Sequence, residues 1–339
     1  MLRFFDGFDS YVTADLGLRY NIPGGGSMQI VPSIGRFGSG ALRNQISGGG
    51  ETLAKFFDDQ ATWIVGVAYA FAPSGKATTI IAFQDSGQGQ VELYMNTSNI
   101  LQVRRNGTVI GTGTHVLSAN TFYFLEFKAT ISSSIAAHSC VARIGGVVEI
   151  DVAAGSSTDA QGTGKANRVC LFYDQFQTQS THDDLYVCDG NGSTSNDFLG
   201  DSRVEDLSAT GQGHYSDFSR NTGSTNYGAI NETSANGDTS YVYSSTVGDK
   251  ETYTFPSLAS TPTAVYGVQL VAISRKDDAG GRALTPLIRH ASTDYLGVEQ
   301  ALPDSYAYVN QVLEVNPATG VAWTGADVNG LEAGFETTH

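Results

Sequence analysis

The chain is 339 residues long, more than one hydrophobic core usually supports, so two domains are expected. Its 40 glycines and a charged fraction of only 16%, beside abundant Ser, Thr, Asn and Tyr, suit many short strands joined by tight turns. With 34 acidic against 19 basic residues, the net charge of −15 argues against nucleic acid or an anionic membrane as a general partner, because phosphates need clustered Lys and Arg.

From the N-terminus, Met1-Leu-Arg-Phe-Phe-Asp6 turns polar at once and lacks the apolar stretch of a signal peptide. No segment reaches the roughly 18 apolar residues of a membrane span. Trp63 to Phe71 is apolar on both alternating faces and predicts a central strand covered on each side, continued by Thr79 to Phe83. Val91, Leu93 and Met95 alternate with Glu92, Tyr94 and Asn96, which predicts one wet face. Asn106-Gly107 between two apolar runs predicts a type I′ hairpin, and Gly145-Gly146 a second one. Between them, Tyr123, Leu125, Phe127, Ala129 and Ile131 form one face of a long strand, with Glu126, Lys128 and Thr130 on the other, expected to be exposed. Strands at Val169–Tyr173 and Leu185–Val187 close the first domain.

Antiparallel strands with hairpins and no intervening helix predict an all-β sandwich or jelly roll over residues 1–190. The polar, turn-rich stretch 191–197 reads as a linker, and 198–339 as a second, smaller β-sandwich. Its strands are expected at Asp201–Leu207, Tyr241–Ser244, Glu251–Phe255, Ala264–Lys276 and Ser305–Val315. A short C-terminal helix is predicted from Thr324 as N-cap, Asp327 three residues on and Trp323 stapled onto Val328, with Gly334 as its stop.

The chemistry-bearing motifs are incomplete. Arg36-Phe-Gly-Ser-Gly40 lacks the spacing of a serine-hydrolase elbow, Gly75-Lys76-Ala77 lacks a Walker A loop, and Gly111-Thr-Gly113 is a fragment of a dinucleotide pattern. Cys140, Cys170 and Cys188 are odd in number, without zinc spacing, and fit assembly in a reducing cytoplasm. His115, His138, His182, His214, His290 and His339 are scattered and read as loop residues. His182 and Asp184, two apart on a strand, share a side and form half of an acid–base or metal pair. Glu126 and Glu149 are the carboxylates a glycosidase would need, but each is read as a surface residue, so no catalytic residue is expected. Calcium is the favoured ion if one is bound, with Asp6, Asp9, Asp183 and Asp184 as candidate ligands and Asp189 and Asn191 beside them. Their meeting requires the first and last strands of the domain to be neighbours. No other cofactor is expected. The basic pairs Arg104-Arg105 and Arg275-Lys276 read as solvated hairpin ends. Sixteen tyrosines favour contact at interfaces or on sugar faces.

Thr121-Phe-Tyr-Phe-Leu-Glu-Phe-Lys128, Val141-Ala-Arg-Ile-Gly-Gly-Val-Val-Glu-Ile150, His182-Asp-Asp-Leu-Tyr-Val187 and the opening Phe5-Asp-Gly-Phe-Asp-Ser-Tyr11 resemble the laminin-G/concanavalin A-like jelly rolls. Asn196 to Val204, Asn236 to Val242, Ala301 to Val309 and Pro317 to Thr324 resemble structural proteins of tailed bacteriophages and prophages. What the resemblance implies is a non-enzymatic virion component: a tail fibre, spike, adhesin or capsid-decoration protein, assembled in the host cytoplasm. Its partners would be copies of itself, with a trimer favoured, other virion proteins and host-surface glycans. The alternatives are a stand-alone lectin-like carbohydrate-binding module and a polysaccharide-degrading enzyme.

Overall fold

The computed structural model describes residues 1–23, 27–44, 52–134, 140–152, 154–171 and 179–339. The chain divides into two compact units, Met1–Val204 and Glu205–His339. Both are built from antiparallel strands.

The first unit contains β1 (Leu2–Asp6), a one-turn helix α1 (Leu16–Arg19), β2 (Ile22–Pro23), β3 (Met28–Val31), β4 (Ala41–Asn44), β5 (Leu53–Gln60) and β6 (Thr62–Phe71). It continues with β7 (Thr78–Asp85), β8 (Gln88–Met95), β9 (Ile100–Arg105), β10 (Thr108–Val116) and β11 (Tyr123–Thr130). Last come β12 (Cys140–Ile144), β13 (Val147–Asp151), β14 (Ala166–Leu171) and β15 (Ser180–Asp189). One sheet runs β13-β12-β11-β6-β15-β4-β3, with β1 also on β15, and the other runs β10-β9-β8-β7-β14-β5-β2. We call them the front and back sheets. The first and last strands are thus neighbours, as the acidic-cluster expectation required. Phe172 and Tyr173, the end of the expected strand at β14, lie outside the described residues, as does His138.

The inner faces interdigitate in one core, where the Phe127 ring of the front sheet stacks on Phe83 of the back sheet with centroids 5.3 Å apart. Trp63, fully buried, donates its indole N–H to the Ala166 carbonyl at 3.0 Å. The hairpin pairs have the backbone that two-residue loops demand, with Asn106 at φ 42° and Gly107 at φ 83° between the paired Arg105 and Thr108.

Two expectations change here. Residues 201–207 are not a strand, and the chain as far as Val204 packs on the outer side of the front sheet. The Leu199 N–H donates to Tyr186 Oη, the Gly200 N–H to Glu126 Oε1 and the Val204 N–H to Asp184 Oδ1. Arg143 stacks on the Phe198 ring, Lys128 pairs with Asp197, and Arg36 pairs with Asp201. Glu126, expected on a wet face, is therefore buried beneath this strap.

The second unit contains β16 (Gly211–Ser216), β17 (Ser219–Arg220), β18 (Val242–Tyr243), β19 (Lys250–Thr254), β20 (Val268–Ser274) and β21 (Ala283–His290). Then follow β22 (Thr293–Leu296), β23 (Gln300–Ala301), β24 (Ala307–Leu313), the helix α2 (Gly325–Asn329) and β25 (Glu332–Thr337). A sheet of order β16-β19-β25-β21-β22 and the β20–β24 ribbon enclose a small core of Leu270, Ile288, Trp323, Val328, Leu331 and Ala333. The capping box forms as the sequence predicts: Thr324 Oγ1 accepts from the Asp327 N–H, and Asp327 Oδ2 accepts from the Thr324 N–H. The helix ends at Gly330. Gly334, expected to stop it, lies in β25, where a Cβ would sit 1.8 Å from the Glu251 carbonyl oxygen. It permits a close approach of two strands.

Candidate functional site

The expected calcium ligands do not converge as a set. Asp6, fully buried, accepts from Tyr11 Oη (2.8 Å), Tyr20 Oη (2.7 Å) and the Phe8 N–H (2.9 Å), and forms an ion pair with Arg19, whose Nε lies 3.1 Å away. Asp9 and Asp183 both brace the turn that leads into β4. Asp9 accepts from the Gly40 N–H, and Asp183 from the Arg36 N–H and Ser39 Oγ. Asp189 accepts from the N-terminal amine, Arg3 and the Asn191 N–H. Each of these four carboxylates is held by protein donors, and among the described residues no three His, Cys, Asp or Glu side chains form a group able to hold a metal ion.

Asp184 is placed by a bulge. Pairing of β15 with β6 slips between Asp183 and Tyr186, and Asp184 takes φ 51°, so the alternation changes phase. His182 therefore points into the core against the Tyr69 ring, 5.1 Å between centroids, whereas Tyr186 points outward. The expected His182–Asp184 pair is broken by that bulge. Burial lowers the imidazole pKa to about 3 and keeps the ring neutral. The second carboxylate of the glycosidase comparison, Glu149, accepts from the backbone N–H groups of Thr114 and His115, a structural role for each acid.

A different group is assembled on the outer face of the back sheet. Core packing of Ile81, Phe83, Val91, Leu93, Leu101, Val103, Val169 and Leu171 turns their strand neighbours outward. Strand register aligns Ala54, Cys170, Ala82, Glu92 and Arg104 in one row across five strands. Thr79, Tyr94 and Gln102 align in the next. The side chains are tied to one another. Arg104 lies over the Tyr94 ring, 3.3 Å from its centroid, and donates through Nη2 to Gln102 Oε1 at 3.0 Å. Thr79 Oγ1 donates to Glu92 Oε2 at 2.9 Å. Farther along, Arg168 lies over Phe56 at 4.2 Å.

The middle of this face is shielded although it points away from the core, with Ala54 and Cys170 at 0% exposure and Gln84 at 3%. Glu92, Gln102 and Arg104 are half-buried. Burial raises the Cys170 thiol pKa to about 12, so it is an inert small apolar residue here. The alternation through Val91–Met95 predicted a polar face at Glu92, but not its partners, because Arg104 and Gln102 arrive from the next strand by register alone. Arg104, expected to be a solvated hairpin end, is held in the array.

No protein-family model and no curated protein matches the chain. Among solved structures, alginate lyase Aly36B is similar with a TM-score of 0.38 at 12% identity, covering 52% of this chain and 88% of that one. The carbohydrate binding module CBM66 from Bacillus subtilis is similar with a TM-score of 0.33 at 10% identity, covering 42% and 84%. A Bacillus subtilis protein of unknown function with a galectin-like fold reaches 0.37 at 10% identity, covering 55% and 94%. The likeness is one of sandwich outline and assigns no residue a role.

Proposed function

We propose that the chain is a non-enzymatic carbohydrate-binding protein whose first unit engages a glycan on the outer face of the back sheet. The observation that carries this reading is the array of half-buried Glu92, Gln102 and Arg104, polar groups fixed from beneath by the buried Thr79 and Tyr94. A sugar ring offers hydroxyl donors and acceptors at set angles, and a surface whose own groups are already immobilised loses little side-chain freedom on binding it. Arg104 keeps several N–H donors beyond those spent on Gln102.

The test is a glycan array with the full chain, followed by titration of the best ligand with and without a calcium chelator. Binding weakened roughly tenfold or more by Arg104→Ala supports the reading. No glycan above background, or an unaffected R104A variant, refutes it. Shortening of the polysaccharide on long incubation would refute the non-enzymatic part.

Exposed apolar surface in the second unit bears on self-assembly, which a second setting, the tailed-phage virion component that the second half of the sequence resembles, would use. Leu296 and Val298 are 52% and 68% exposed on and just after an edge strand, apolar surface that assembly into a homo-oligomer would cover. Light scattering for the oligomer and immunogold labelling of particles test this setting separately from glycan binding.

A further inference from the structure

We infer that the second unit carries its own binding cleft for the anionic group of an acidic saccharide, centred on Arg220. This inference concerns a different unit from the glycan face above and does not rest on it.

A shallow, open depression of about 420 Å³ is lined by Phe218, Ser219, Arg220, Asn221, Thr222, Gly223 and Tyr243. Its wall is prebuilt. The Asn221 amide donates to the carbonyls of Asp238 and Thr239 and accepts from the Tyr241 N–H, while Gly223 turns the loop at φ 79°.

Charge points to the ligand class. The other Lys and Arg residues of this unit are all matched with carboxylates: Lys250 and Arg289 with Asp294, Arg275 with Asp238, Lys276 with Asp304 and Arg282 with Asp278. Arg220 has no carboxylate within ion-pair distance among the described residues. Its guanidinium is instead oriented by neutral acceptors, Nε to the Gly223 carbonyl at 3.2 Å and Nη1 to Asn226 Oδ1 at 3.3 Å. Asn226 is in turn held by the buried Glu251, whose oxygens also accept from Gln212 and the Phe218 N–H. The Nη2 edge is left for an incoming anion, and a planar fork suits a carboxylate bidentately. In a chain of net charge −15, an oriented and unneutralised cation beside hydroxyls and an exposed Tyr243 fits a sugar that carries a carboxylate. Ser219 and Thr222 supply hydroxyls for the ring, and Tyr243 an apolar wall.

The experiment is titration of the full-length protein at low ionic strength with galacturonate trisaccharide, neutral galactose trisaccharide and inorganic sulfate. The acidic trisaccharide is expected to bind at least tenfold more tightly than the other two. Arg220→Gln should weaken it roughly ten- to a hundredfold, and Arg220→Lys less, because the charge survives without the fork. Because Arg220 also fastens Gly223, Tyr243→Ala provides a variant outside that network, expected to weaken binding severalfold. Arg282→Ala, at an exposed arginine already paired with Asp278, should leave this binding unchanged, which separates the site from a general loss of positive charge. Equal affinity for the neutral sugar or for sulfate, undiminished binding by R220Q, or no binding at millimolar concentration would overturn the inference.

Discussion

Replacing Tyr186 by Phe tests whether the strap formed by residues 197–204 is held by the front sheet or merely lies on it. The Tyr186 hydroxyl donates to Glu126 Oε1 at 2.6 Å and accepts from the Leu199 N–H at 3.1 Å. Burial and the adjacent Glu126 hold its pKa far above the ordinary phenol value, so it stays a donor. Removing the oxygen deprives a buried carboxylate of one of its two donors and leaves an amide without its acceptor. A bond to a carboxylate is worth about 1.5–3 kcal/mol and a neutral one about 1 kcal/mol, so the loss should be about 3 kcal/mol. The Phe ring still fills the same space, so no cavity cost is added. For a unit of this size that corresponds to roughly 6–12 °C in the melting temperature. Urea denaturation gives the free energy, and amide exchange gives the location, with Leu199 exchanging faster than in the parent protein. A loss below about 0.5 kcal/mol with Leu199 exchange unchanged would refute the reasoning.

Two further outcomes follow from single groups. Burial, reinforced by the charge of Asp183, raises the Asp184 pKa to about 7 against the opposing pull of Val204 N–H and Arg36. The folded state therefore holds a proton that the unfolded chain releases near pH 4, so this group's stabilisation is present at low pH and is lost as pH rises from about 4 to 7. Asp184→Asn keeps an acceptor for the Val204 N–H. It should remove a downward slope on the order of 1–4 kcal/mol across that window, and identical pH profiles of the two proteins would contradict this. Thr324→Ala removes half of the capping box on α2 and should cost the second unit about 1 kcal/mol in urea denaturation. A change within about 0.3 kcal/mol would show that packing of Trp323 and Val328 alone sets the helix.

Local signals were legible wherever a residue's conformation or period answered to its own neighbours. Asn106-Gly107, the covered strand Thr62–Phe71 and the Thr324 cap are of this kind. What the sequence hid depends on distant chain. Glu126 alternates with Phe127 and Lys128 as a surface residue would, and only residues 197–204 returning over it make it buried. Six strands of the second unit, β16, β17, β21, β22, β23 and β25, are not predicted from the sequence, and β21 and β25 show why. Pro286 interrupts the pattern of β21, and Gly334 looks like a helix stop until the Glu251 carbonyl is brought against it. The Arg104–Tyr94 pair likewise exists only through the register of β8 on β9. The bulge at Asp184 shows the limit of reading a strand by parity, since one inserted residue reassigned every side chain beyond it.

Gly66 faces both Glu126 and Tyr186 in strand register, and a Cβ there would lie 2.0 Å from the Tyr186 ring. The aromatic ring lies across the vacant side of this glycine to reach the acid on the far strand. These three positions, each of the outer two 60 residues along the chain from Glu126, are therefore not free to change separately. A larger residue at 66 has a home only if the ring at 186 shrinks, and once it shrinks the acid at 126 has lost one of its two donors. Substitutions at 66, 126 and 186 should therefore be strongly non-additive in stability, because the triplet acts as one energetically coupled unit.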